Sequence, residues 1–284
     1  MDDVRDYINF TYVSFKITAE DETLGYMIRR IFRITDKPTG RRRHDVIVVS
    51  DGSDMIIELD KIRCCRCRDR ESALYRIAEI FGEAICTEAD KDVFIMHAAG
   101  IMIDNQLITL AGTSGSGKTT LSLLMSEYGE YVGDEYAYFD SRTAAIWHDE
   151  HPVQIKSHNE IIIEMGKYDR IPGRSNDSGE VFYIPLDNVR YMPVTKEDAV
   201  VPSYIVFPHF KREDAETEIR DIDAGSFPPL ILQSLMGSYP PALVLKRFMH
   251  AAAKENISFL EMTFSDGKSA AETLHAYIRE RTRK

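Results

Sequence analysis

The stretch from Leu110 to Met125, LAGTSGSGKTTLSLLM, constrains this chain more than any other. An apolar strand pattern runs into a turn holding three glycines, and an apolar-striped helix pattern begins at a single lysine. Gly112, Gly117, Lys118 and Thr119 meet the spacing G-x-x-x-x-G-K-[ST]. Strand, glycine loop and helix in that order are the context in which this pattern wraps a phosphate. The glycines let the backbone turn its N–H groups inward, and the helix start adds the positive end of its dipole. The expected cradle is Gly112, Thr113, Ser114, Gly115, Ser116, Gly117, Lys118, Thr119 and Thr120. Lys118 would bring charge to the outer phosphates of ATP, and the Thr119 hydroxyl would ligate the accompanying Mg²⁺. The plainer alternative is a glycine-rich turn into a helix with an exposed lysine.

Two further features bear on the loop. In YVGDEY, Asp134 and Glu135 close a short apolar run after the helix pattern. Carboxylates at a strand end beside a phosphate loop hold Mg²⁺ or take a proton from an attacking hydroxyl. Alone, such a pair is usually a solvated strand end. His97 interrupts the apolar strand FIMHAAGIMI that leads toward the loop. Its pattern fits a hydrogen-bonded core histidine and a catalytic one equally. The candidate catalytic set is Asp134, Lys118, His97 and Glu135, with Thr119, Glu135 and Asp134 as candidate metal ligands.

Hydrophobic patterning predicts an α/β chain in two parts: a small α+β unit over 1–92 and a catalytic domain over 93–284. In the first, INFTYVSFKI alternates as a strand, and VIVVSDGSDMIIEL reads as a hairpin around Asp51-Gly52. Leu74, Ile77, Phe81, Ala84 and Ile85 share one helical face. In the second, VFIMHAAGIMI and QLITLAG flank the turn pair Asp104-Asn105. EYVGDEYAYFD, TAAIWH, ISFLEMTF and SYIVFP read as strands, the last stopped by Pro208. Residues 164–180 read as a mobile polar loop. Helices are expected at Pro228–Gly237 and Pro241–Asn256, and Ser269 with Glu272 makes a capping box for a final helix.

The net charge of −11 and pI of about 5.3 oppose nucleic-acid binding, which relies on lysine and arginine. No apolar run approaches the ~20 residues of a membrane span, and the acidic start from Met1 to Asp6 is unlike a targeting peptide. A cytoplasmic protein is expected. Cys64, Cys65 and Cys67 crowd into KIRCCRC with Cys86 apart. That spacing suits reduced thiols buried on a strand better than zinc. Clustered arginines in RRRHD and RCCRCRDR would either dock an acidic peptide or face solvent.

MHAAGIMIDNQLITLAGTSGSGKTTLSLLMSEYGEYVGDE resembles the catalytic core of HPr kinase/phosphorylase and its kinase-like relatives. The shared order is a histidine-bearing strand, a tight hairpin, a phosphate loop, a helix and a strand ending in two acids. The resemblance implies a phosphoenolpyruvate carboxykinase-like P-loop fold with a mixed β-sheet, and a homo-oligomer. It also implies an ATP- and Mg²⁺-dependent kinase whose acceptor is a hydroxyl of a peptide, protein or small molecule. By position Asp134 matches the acid that deprotonates the acceptor, Glu135 the second acid and His97 the strand histidine. Lys118 and Thr119 match the phosphate and metal residues. The glycine-rich arginine signature of the bifunctional enzyme is missing. Arg170 and Arg174 lie in its region in the unlike context YDRIPGRS, so either is a candidate to cap the transferred phosphate. An ATPase or nucleotide-dependent switch without an acceptor is the alternative.

Overall fold

The computed structural model describes residues 6–156, 159, 168–175, 179–223, 226–238 and 240–282. The chain is mixed α/β, with six α-helices among the described residues, two sheets that mix parallel and antiparallel pairs and a smaller antiparallel one. It forms two compact units. One comprises Met1–Ala89 with Glu150–Asn188, the other Asp90–Asp149 with Val189–Lys284. The first break lies close to the expected one. Residues 150–188, read from sequence as part of the catalytic domain, belong instead with the N-terminal unit.

The first unit begins with β1 (Tyr7–Asn9), β2 (Val13–Ala19), helix α1 (Glu22–Ile31) and β3 (Ile34–Thr35). Then come β4 (Arg42–Asp51), β5 (Asp54–Leu59), β6 (Ile62–Cys67) and helix α2 (Arg70–Glu88). The sheet order is β3-β1-β2-β4-β5-β6, with β2 and β4 parallel. INFTYVSFKI is therefore two strands, because the chain turns at Phe10–Tyr12. Asn9 holds that turn, accepting from the Ser14 hydroxyl at 2.6 Å and donating to Thr35 at 2.6 Å. The hairpin at Asp51-Gly52 forms as read, with Gly52 at φ 69°. Helices α1 and α2 start at Asp21 and Asp69, whose carboxylates accept from main-chain N–H groups three residues on, satisfying otherwise orphaned donors. Leu74, Ile77, Phe81 and Ile85 are buried as the pattern predicts, while Ala84 is half-buried. Phe81 packs on Phe15 with ring centroids 4.3 Å apart.

In the second unit β7 (Val93–Ile103) and β8 (Gln106–Ala111) pair around Asp104 and Asn105, both at positive φ. Helix α3 (Lys118–Met125), β9 (Glu130–Gly133), β10 (Tyr136–Asp140) and β11 (Ile146–His148) follow. The chain then enters the first unit for β12 (Val153–Lys156), β13 (Ile171–Ser175) and β14 (Gly179–Ile184), a sheet ordered β12-β14-β13. The polar stretch read as a loop over 164–180 thus holds β13 and the start of β14; 164–167 and 176–178 lie outside the described residues. The inward positions of β13 are Gly173 and Ser175. Gly173 sits against the Tyr183 ring, where a Cβ would come within 2.6 Å. Small residues fill the buried positions, so no apolar alternation marks the strand.

The second unit resumes with β15 (Tyr204–Phe210), β16 (Glu218–Asp221), α4 (Phe227–Ser234) and β17 (Leu235–Met236). It ends with α5 (Ala242–Lys254), β18 (Ser258–Phe264) and α6 (Gly267–Thr282). Its sheet runs β11-β10-β7-β8-β15-β18-β16, with β9 and β17 also on β7. β8, β15 and β18 are parallel neighbours. β15 continues through Pro208, which lies past the last β8 pair at Val206, where its missing N–H interrupts nothing on that side. Leu235 and Met236, expected in a helix, pair instead with Met96 and Ile95. Phe94, Phe139 and Phe248 form an aromatic core cluster, with centroids 5.1–5.6 Å apart. No helix among the described residues is long and apolar enough to cross a membrane.

The final helix starts earlier than the Ser269–Glu272 box implies. Asp266 is the capping residue, its carboxylate accepting from the Ser269 N–H at 2.6 Å. Asp266→Ala should therefore lower stability by about 1 kcal/mol, while Ser269→Ala should change it little. Paired denaturant melts of the two variants measure this directly.

Candidate functional site

Every residue of the predicted constellation lies in the second unit. β8 ends at Ala111 and the glycine loop follows, strapped to its surroundings by main-chain bonds. Gly112 N–H donates to His97 O at 3.2 Å, and Phe210 N–H to Ser116 O at 3.1 Å. Gly115 and Gly117 take φ of 83° and 98°, conformations that L side chains rarely adopt. A Cβ at Gly117 would also meet Phe264 Cζ at 2.7 Å, and one at Gly112 would meet Ser116 Oγ at 2.9 Å. Gly117 is the N-cap of α3 and brings no side chain to its first turn.

Lys118 opens α3 and is only 3% exposed, which removes the exposed-lysine alternative. Its ammonium donates to Thr113 O at 2.9 Å, folding back across the loop. The Thr119 hydroxyl donates to Asp134 Oδ2 at 2.7 Å. Asp134 is 1% exposed and sits between β9 and β10, where the Glu135 N–H donates to its Oδ1 at 2.8 Å. Burial, then the Glu135 charge, push the Asp134 carboxyl up to about 6. The Thr119 hydroxyl, Lys118 and His97 act in the opposite direction. Asp134 is buried and Glu135 half-buried, so the solvated reading of the acid pair does not hold for Asp134.

Glu135 has φ 68°, a conformation costly for a non-glycine residue and common at functional sites. Its carboxylate meets His97 Nε2 at 3.2 Å. His97 lies opposite Tyr136 in the β7–β10 ladder, and this register brings it to the acid pair. The structure thus gathers Lys118, Thr119, Asp134, Glu135 and His97. Arg170 and Arg174, the candidates to cap the transferred phosphate, belong to the first unit. There Arg174 donates to Asp69 at 2.7 Å, and Arg170 lies over the Phe182 ring.

The donors suit Mg²⁺ and a nucleotide phosphate. A hydroxyl and carboxylates are the hard oxygens Mg²⁺ takes, usually one or two from protein with the rest from water and phosphate. With its proton directed to Asp134, the Thr119 oxygen keeps lone pairs for a cation. Ser116 Oγ is buried without a hydrogen-bond partner among the described residues, as a donor meant for phosphate would be. No three His, Cys, Asp or Glu side chains converge into a metal cage among the described residues.

A small open cleft lies beside the loop, bounded by Gly112, Thr113, Ser116, His209, Gln233 and Ser234. The sequence reading missed His209 and Gln233. They reach the loop through the parallel β8–β15 pairing and the position of α4, which no local spacing announces. It also missed His148. This residue lies opposite Ala137, with its ring against Gly133 and Gly100, where added Cβ atoms would come within 2.9 Å of it. The ring fixes the backbone just before Asp134.

No protein-family model matches the chain, and no curated protein does either.

Neither His148 ring nitrogen has a hydrogen-bond partner among the described residues, and burial lowers its pKa from 6.5 to about 3. The folded state holds it neutral while the unfolded chain protonates it below 6.5. Between about 3 and 6.5 the unfolded state binds more protons, so this residue makes stability fall as pH falls. Over that window the loss should reach roughly a few kcal/mol. His148→Leu should flatten the slope of unfolding free energy against pH there; an unchanged slope would show the ring to be protonated or solvated in the fold.

Proposed function

We propose that the second unit is an ATP- and Mg²⁺-dependent kinase that transfers the γ-phosphate to a hydroxyl of a peptide, protein or small molecule. One observation carries the reading: a buried lysine opening a helix after a glycine loop, with the next residue hydrogen-bonded to a buried aspartate. A simple helix start needs neither the buried ammonium nor the buried acid, and both are costly to desolvate unless they serve a ligand. The similarity to the HPr kinase core supports the same reading, including its phosphoenolpyruvate carboxykinase-like P-loop fold.

In this reading the main-chain N–H groups of the loop hold the phosphates, and Lys118 swings from Thr113 O to the outer ones. Mg²⁺, held by Thr119 and the acid pair, would neutralise charge between the phosphates. Asp134 takes the proton of the acceptor hydroxyl as its oxygen attacks the γ-phosphorus and the bond to the β-phosphate oxygen breaks. A carboxyl pushed upward by burial is a better proton acceptor than an ordinary aspartate. His97 steadies Glu135. Without the glycine-rich arginine signature, nothing here supports HPr as the acceptor or the reverse, phosphorylase, reaction.

The test uses ATP labelled in its γ-phosphate, Mg²⁺ and an array of serine- and threonine-bearing peptides together with free polyols. Label on an acceptor is expected. Asp134→Asn should reduce transfer by ~10²–10⁴-fold with far less effect on ATP affinity, and Lys118→Ala should abolish turnover with the fold intact. Release of inorganic phosphate alone, unaffected by any acceptor, would instead identify an ATPase or nucleotide-dependent switch.

A further inference from the structure

The arginine-rich segments of the first unit leave one surface that the proposed chemistry does not use. In RRRHD the charges are engaged. Arg42 pairs with Glu88 at 3.3 Å and Arg43 with Asp45 at 3.3 Å. Arg41 and Arg43 also lie over the rings of Tyr12 and Tyr7. In the second segment, Arg66 is held by Asp51 and Asp54, and Arg70 by Asp21. Lys61, Arg63 and Arg68 are exposed and have no ion-pair or hydrogen-bond partner among the described residues. Glu58 stands opposite Arg63 in the ladder without forming an ion pair.

These three cations flank and occupy β6, an outermost strand of its sheet. The opposite edge, β3, has two residues and is too short to template another strand. β6 has six, pairs only with β5 among the described residues, and exposes its outer face from Ile62 to Cys64. Among the described residues Ile62 is the most exposed large apolar side chain, at 71%. The register with β5 shifts at Cys64, and on either side of that bulge this edge, about 20 Å long, leaves main-chain donors and acceptors pointing outward. We propose that β6 is a docking edge for an extended acidic peptide, which adds to the sheet as a further strand. Its carboxylates would meet Lys61, Arg63 and Arg68, and an apolar side chain would cover Ile62.

Charge complementarity chooses this occupant over a second copy of the chain. Pairing two β6 edges would set one row of cations against another, which is destabilising. An acidic strand supplies main-chain hydrogen bonds for affinity and carboxylates for selection. The inference deepens the kinase reading by naming a class of peptide partner. It rests on that reading only for its consequence, since docking itself needs no nucleotide.

The probe is a fluorescent peptide of alternating glutamate and valine, compared with its lysine–valine counterpart. Binding to the full chain is followed by anisotropy without ATP, and hydrogen exchange reads the amides of 62–67. The acidic peptide should bind, protect those amides and weaken with salt. Arg63→Glu with Arg68→Glu should lower affinity by about tenfold or more. Lys246→Glu with Lys268→Glu, an equal change in net charge elsewhere, should not. The proposal is overturned if the acidic peptide fails to bind or if binding leaves 62–67 unprotected. It is also overturned if both double variants weaken binding equally, or if the chain self-associates in a way that the edge variant disperses. Because nucleotide is absent throughout, a failure here is separate from a failure of phosphoryl transfer.

Discussion

The hydrogen bond from the Thr119 hydroxyl to Asp134 is the interaction on which the rest of the site depends. It joins the first turn of α3, and with it the glycine loop, to the turn between β9 and β10. Without it a buried carboxylate would lack a side-chain donor, and desolvation would push it further toward its neutral form. With it, one acid is held between a hydroxyl and a main-chain N–H while Glu135 is turned aside to His97. Two carboxylates next to each other in sequence thereby receive different partners, and therefore different chemistry.

Much of this arrangement is built from the backbone. Gly117 has the left-handed conformation that starts α3 and the clearance that Phe264 demands. Gly133 and Gly100 leave room for the His148 ring behind the acid pair. The parallel strands β8, β15 and β18 carry the loop at the C-terminal end of β8, where open α/β sheets commonly bind ligands. The Phe210 N–H to Ser116 O bond ties the end of β15 to the loop itself.

The local parts of this architecture were legible in the sequence. Strand, glycine loop and helix followed from periodicity and glycine placement, and Asp104-Asn105 formed the expected turn because both residues tolerate positive φ. His97 was undecidable, since its proximity to Glu135 is a matter of register between β7 and β10. β13 was invisible because Gly173 and Ser175 fill its buried positions. The assignment of 150–188 to the first unit depends on long-range packing, which local patterning does not encode. The pattern of KIRCCRC predicts a strand with buried thiols. It is a strand, but as an edge it buries only Cys67, leaving Cys64 exposed and Cys65 half-buried. The hydrogen bond with Cys65, then burial, push the Cys67 thiol up, while the same hydrogen bond holds Cys65 down at about 7.

If the loop and the Thr119–Asp134 pair together form the proposed site for a nucleotide with its cation, calorimetric titration of ATP into the full chain, with Mg²⁺ and with a chelator, will reveal it. One site per chain is expected, tight with Mg²⁺, much weaker without it, and stripped of its Mg²⁺ dependence by Thr119→Val. Failure to bind ATP, or an affinity that is the same with and without Mg²⁺, would contradict it.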